Sequence, residues 1–87
     1  MFDREIKFPP YRIVLDSQEE WVPHKQQGSI LDGFRSIASI SRLDERPIIE
    51  HAKTYWIGFG RVFRSEEGAI RDCEERARGA ILSGFPL

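Results

Sequence analysis

Three residues of the types that most often carry covalent or metal chemistry are Cys73, His24 and His51, the one cysteine and the two histidines of the chain. A nucleophile needs a base and a group that orients that base. Cys73 stands at helical spacing from Ile70 and Ala77, on an apolar face. That placement predicts a buried, reduced and inert thiol, not a reactive thiolate. A lone cysteine forms no internal disulfide, and a reduced thiol fits a cytoplasmic protein. Zinc sites use paired ligands at short spacing. His24 and His51 lie far apart, with no His-x-x-x-His and no Cys-x-x-Cys. Gly58-Phe59-Gly60 imitates the start of a dinucleotide fingerprint, but position 63 is Phe63 where that motif requires glycine or alanine. The expectation is a non-enzymatic chain with no metal and no cofactor.

Recognition is then the chemistry that fits. Tryptophan and arginine are enriched where protein interfaces concentrate their energy. Trp56, with Arg61 and Arg64 close in sequence, is the candidate anchor. The acidic helix face, through Glu67 and Glu74 beside Glu66, Asp72 and Glu75, suits a basic groove on a partner. The reading is a protein-binding module, a stand-alone inhibitor or regulator that occludes a surface of a larger protein; the anti-defence inhibitors phages direct at host machinery are of this kind. The alternative is a small nucleic-acid-binding protein that uses the basic middle segment, 35–64. There Arg35, Arg42, Arg46, Lys53, Arg61 and Arg64 stand against Asp44, Glu45 and Glu50. The net charge of −1 opposes that alternative, because a nucleic-acid binder carries a clearer basic excess.

These side chains are positioned by the stretch from Tyr55 to Phe85, which reads as a strand running into a helix. Tyr55, Ile57, Phe59 and Phe63 alternate as a core face, with Trp56, Gly58, Gly60 and Val62 on the other. The two glycines beside Trp56 predict either a helix or bulge packed closely there or a flat contact surface. In the helix Ile70, Cys73, Ala77, Ala80, Ile81 and Gly84 recur three or four apart. Ser65 is its N-cap and Glu66 and Glu67 oppose its dipole. Glu67–Arg71, Asp72–Arg76 and Glu74–Arg78 are acid-before-base pairs. Gly84 suits a left-handed C′ position, with Phe85 folding back and Pro86 ending the helix.

Upstream, residues 1–10 read as an extended arm or edge strand stopped by Pro9-Pro10. Tyr11 to Leu15 alternates as a strand. Asp16-Ser17-Gln18 predicts a turn, 19–25 a second strand that Pro23 places at an edge, and Lys25-Gln26-Gln27-Gly28 a loop. Ile30, Phe34, Ile37 and Ala38 have helical spacing, which favours a helix over 29–43. Against it, Asp32-Gly33 is a hairpin signal and Ser-Ile-Ala-Ser-Ile-Ser is poor helix material. Asp44 to Pro47 is a loop, and 47–52 reads as a strand through Ile48 and Ile49. Trp21-Val22 and Trp56-Ile57 lie 35 apart, and Ser29 and Ser65 lie 36 apart. That offset suggests a repeated strand-strand-helix unit. The fold class is therefore α+β: a small antiparallel sheet with a C-terminal amphipathic helix, in the fuller form ββαββα with two helices on one face.

With 87 residues and 40% apolar content, 1–87 forms one compact domain with a small core. No apolar run approaches the ~20 residues of a membrane span. Met-Phe-Asp-Arg-Glu-Ile-Lys is too charged for a signal peptide. Nothing in the sequence sets an oligomeric state.

Overall fold

The computed structural model describes residues 2–58 and 60–84, apart from the side chains of residues 2 and 3. Four strands form one antiparallel meander in chain order: β1 (Phe2–Phe8), β2 (Tyr11–His24), β3 (Gly28–Arg42) and β4 (Thr54–Ile57). A helix, α1 (Glu66–Ser83), follows and packs across β2, β3 and β4 on one face. The antiparallel α+β class is therefore present with a single helix among the described residues, and the ββαββα arrangement is not.

The largest departure from expectation is residues 29–43, which are strand and not helix. Helical spacing of Ile30, Phe34, Ile37 and Ala38 coexists with a period-2 pattern: Ser36, Ala38 and Ile40 alternate as buried residues with the half-exposed Ile37 and Ser39 between them. The β-branched and serine content favours the strand, and β2 supplies its partner from Tyr11↔Arg42 to His24↔Gly28.

The other departures share that cause. Asp16-Ser17-Gln18 does not turn; it lies within β2, so the two expected strands are one. Ser17 is buried, and its hydroxyl donates to Glu66 Oε2 at 2.6 Å, which satisfies it inside the sheet–helix layer. Asp32-Gly33 is not a hairpin turn. The hairpin closes at Lys25-Gln26-Gln27 with Gly28 at φ 81°, and Asp32 is the extra residue of a bulge between the pairs Glu20↔Gly33 and Trp21↔Leu31. The expected strand at 47–52 is a turn closed by an Ile49↔Ala52 bridge. The strand expected from Tyr55 to Phe63 stops at Ile57 and rejoins β3 at one Phe34↔Phe63 bridge.

The core lies between α1 and one sheet face. Ile13, Leu15, Ala38 and Ile40 meet Ile70, Cys73 and Ala77, with Ile6, Phe8, Tyr55 and Ile57 packed around them. Ser65 caps α1 by accepting from the Gly68 N–H at 3.0 Å, and Gly84 closes it in the left-handed region at φ 75°. Asp72–Arg76 and Glu74–Arg78 form at 3.0 and 2.9 Å. The expected core place of Phe59 and the expected roles of Phe85 and Pro86 fall outside the described residues. β1 pairs along one side of β2 as an edge strand, and Pro9-Pro10, a cis peptide, forms the turn between them. No described helix is long and apolar enough to cross a membrane.

Candidate protein-binding surface

β2 is twice as long as β1, and β3 more than three times as long as β4. β1 accompanies β2 only as far as the Phe2↔Ser17 pair, and α1 begins beside Ser17 through Glu66. Residues 18–24 and 28–33 therefore run on as a two-stranded arm, about 20 Å long at ~3.3 Å per residue. The whole molecule is 50 Å long and only 23 by 21 Å across. At the arm tip His24 Nδ1 accepts from the N–H groups of Gln26 and Gln27, each at 3.2 Å. This gives His24 a turn-capping role.

Beyond its base, where Gly33 is buried beside Val62 and Phe63, the two-stranded ribbon has no further layer in which to bury its side chains. Trp21 and Leu31 are cross-strand partners and stay 53% and 41% exposed. The Trp21 indole N–H donates to Glu19 Oε1 at 3.2 Å, across one step of the same strand face. Ser17, Gln18, Glu19 and Trp21 form, with Glu66 of α1, a groove of about 410 Å³ where the arm leaves the body. Both arm edges are poor templates for another strand. Pro23 has no N–H to offer along the β2 side, and the Asp32 bulge disturbs the β3 side. The arm thus offers its faces for contact more readily than its edges.

Trp56 stands on β4 between Tyr55 and Ile57, which pack towards α1; it points to the uncovered face and is 62% exposed. Its row across the sheet is Glu5, Val14, Ser39 and Trp56, with Ile37 on the same face. Cross-strand diagonals Arg12–Glu5 at 2.8 Å and Arg35–Glu20 at 2.9 Å flank it. Of the two glycines beside Trp56, Gly58 has open space, whereas Gly60 is approached by the Arg76 guanidinium, which also donates to the Gly58 carbonyl at 3.1 Å.

The remaining expected contacts do not gather around Trp56. The Arg61 guanidinium lies 4.8 Å from the centre of the Phe63 ring, and that ring sits beside Gly68 at the start of α1. Arg61 is therefore on the helix side of the sheet, opposite Trp56. Arg64 is exposed next to the N-cap, and Glu67 is exposed in the first turn of α1. Glu74 is half-buried and bonded to both Arg4 and Arg78, so it is engaged within the molecule. The basic residues of the middle segment are likewise divided. Arg35 holds Glu20, Arg42 holds Asp44 at 2.8–2.9 Å, and these pairs lie on opposite sheet faces. The Arg42 guanidinium and the Arg46 N–H hold the Asp44 carboxyl well below the usual carboxylate range. Cys73 is fully buried, and burial pushes its thiol up, against a weaker opposing hydrogen bond from Ser36. Among the described residues no cluster of three or more histidines, cysteines and acids is placed to hold a metal ion.

The Trp21–Leu31 pair is the feature that sequence reasoning missed. Its signal was the Lys25-to-Gly28 loop: once both flanks are strand, that loop brings Trp21 opposite the Leu31 region, and the helix expected over 29–43 concealed this. No family model matches the sequence, and no curated protein or solved structure is significantly similar to it.

Proposed function

We propose that this chain is a protein-binding module, an inhibitor or regulator that covers part of a larger protein with its β2–β3 arm, and that Trp56 on the open sheet face supplies a second contact. One observation carries the reading: a domain with a core of few residues leaves both tryptophans at least half exposed, and one of them is paired with Leu31 on an arm that runs on beyond the end of β1. The competing explanation is local. A Trp–Leu cross-strand pair stabilises a ribbon by about 0.2–1 kcal/mol, and that alone could account for it. Binding and ribbon stability separate by experiment. Trp21→Ser and Trp56→Ser each remove a tryptophan that contributes little to the core, so both variants should melt within a few degrees of the parent. As baits in the native host lysate, they should retain less of a partner that the parent retains. Equal retention by parent and variants would remove the reading. The buried, free Cys73 accords with a reducing compartment, and we assign the protein to the cytoplasm.

A further inference from the structure

The chemistry of the arm narrows the partner, and this narrowing rests on the protein-binding reading above. The helix-side face of the arm sets Trp21 and Leu31 among acids. Glu19 is bonded to the indole and Glu66 faces it across the groove, while Asp32 stands exposed at the bulge next to Leu31. Glu20, on the other face, is paired with Arg35. Between residues 18 and 33 the arm holds one cation, Lys25, at the tip. We propose that this face receives a cationic amphipathic segment of a partner protein, in which apolar side chains cover Trp21 and Leu31 while lysine or arginine side chains enter the groove between Glu19 and Glu66.

Three physical reasons favour that occupant. An exposed indole face attracts a cation, and the flanking carboxylates add charge-assisted hydrogen bonds to it. A second copy of the chain is disfavoured, because a two-fold contact through this face would bring Glu19, Asp32 and Glu66 towards their own equivalents. Strand addition is disfavoured by Pro23 and the Asp32 bulge, so the segment lies on the face and not along an edge.

The probes are two short peptides of equal length, one alternating lysine with leucine and the other glutamate with leucine. In a Trp56→Phe background Trp21 is the sole tryptophan, and its fluorescence reports contact directly. The lysine peptide should shift that emission, and its affinity should fall with rising salt. Read by calorimetric titration, Trp21→Ser should weaken binding of the lysine peptide by roughly thirty-fold, as truncation of an interface anchor does. Glu19→Lys alters an exposed side chain and should weaken binding by about ten-fold with the fold retained. Equal binding of the two peptides, or full binding by Glu19→Lys, would overturn the cationic assignment. So would a dimer in sedimentation that Trp21→Ser dissociates. A lysate partner that needs Trp21 but ignores Glu19→Lys and salt would also overturn the assignment while leaving the protein-binding reading in place. If retention of lysate proteins depends on neither tryptophan, that broader reading fails first.

Discussion

Replacing Gly33 by alanine tests how the arm is joined to the body. Gly33 is buried opposite Glu20, just inside the bulge. A methyl group there would lie 2.5 Å from Val62 Cγ1 and closer still to the Phe63 carbonyl oxygen. The obstructing oxygen is main chain, so no rotamer change relieves it. The 62–63 segment must move away, and with it the paired bonds Phe34 N–H to Phe63 O at 2.7 Å and Phe63 N–H to Phe34 O at 2.8 Å. Two backbone bonds at about 0.5–1.5 kcal/mol each give roughly 1–3 kcal/mol, similar to the usual effect of overpacking. A central value of ~2 kcal/mol lowers the melting temperature of a domain this size by roughly 8–16 °C. Phe63 also rests beside Gly68, so amide exchange at Phe34, Phe63 and the first turn of α1 should accelerate together. Gly79→Ala is the control. It meets nothing within 4 Å in the helix and should stabilise by up to ~1 kcal/mol. A Gly33→Ala protein that melts with the parent and keeps slow exchange at Phe63 would refute this account of the junction.

Other outcomes follow from the same geometry. Cys73, buried with a raised thiol pKa, should react slowly with a thiol reagent in the native state and rapidly after denaturation; prompt stoichiometric labelling of folded protein would contradict the core. Asp44 should titrate below its ordinary value of 3.8 in carboxyl-detected NMR. Because its folded pKa is depressed, the Arg42–Asp44 interaction contributes at neutral pH and fades as pH falls below that value. The melting difference between parent and Asp44→Asn should therefore narrow in acid, and a difference that widens would reverse the sign of this argument. With Arg35 and Arg42 on opposite faces and each paired with a carboxylate, single- and double-stranded nucleic acid should show no tight, salt-sensitive binding at low ionic strength. A steep salt dependence would instead promote the nucleic-acid alternative.

Where sequence spacing and terminal signals agreed, the fold was legible. Ser65, Gly84 and the Ile70–Cys73–Ala77 stripe located α1 within a residue at each end, and the alternation separated Trp56 from the core face of Tyr55 and Ile57 while leaving open whether its own face was covered. Where a segment satisfied two periods at once, local reasoning chose wrongly. Ile30, Phe34, Ile37 and Ala38 match a helix, but a long partner strand makes the alternating set Ser36, Ala38 and Ile40 decisive. Ser17 misled in another way: Asp-Ser-Gln is turn chemistry until a distant Glu66 satisfies the hydroxyl inside the layer. The candidate site inherited both errors. Trp56 was identified from its own strand, whereas the Trp21–Leu31 pair exists only through register, and register depends on 28–42 being a strand. Arg61 and Glu74 looked available from sequence because stacking on Phe63 and bonding to Arg4 are tertiary events.

The central claim is that the arm binds a protein through Trp21 and Leu31. Calorimetric titration of the captured partner with the parent and with a Trp21→Ser, Leu31→Ser double variant tests it most directly, with circular dichroism confirming that both are folded. The account predicts a loss exceeding ~2 kcal/mol of binding free energy. An unchanged affinity for the partner, with the variant fully folded, would contradict it.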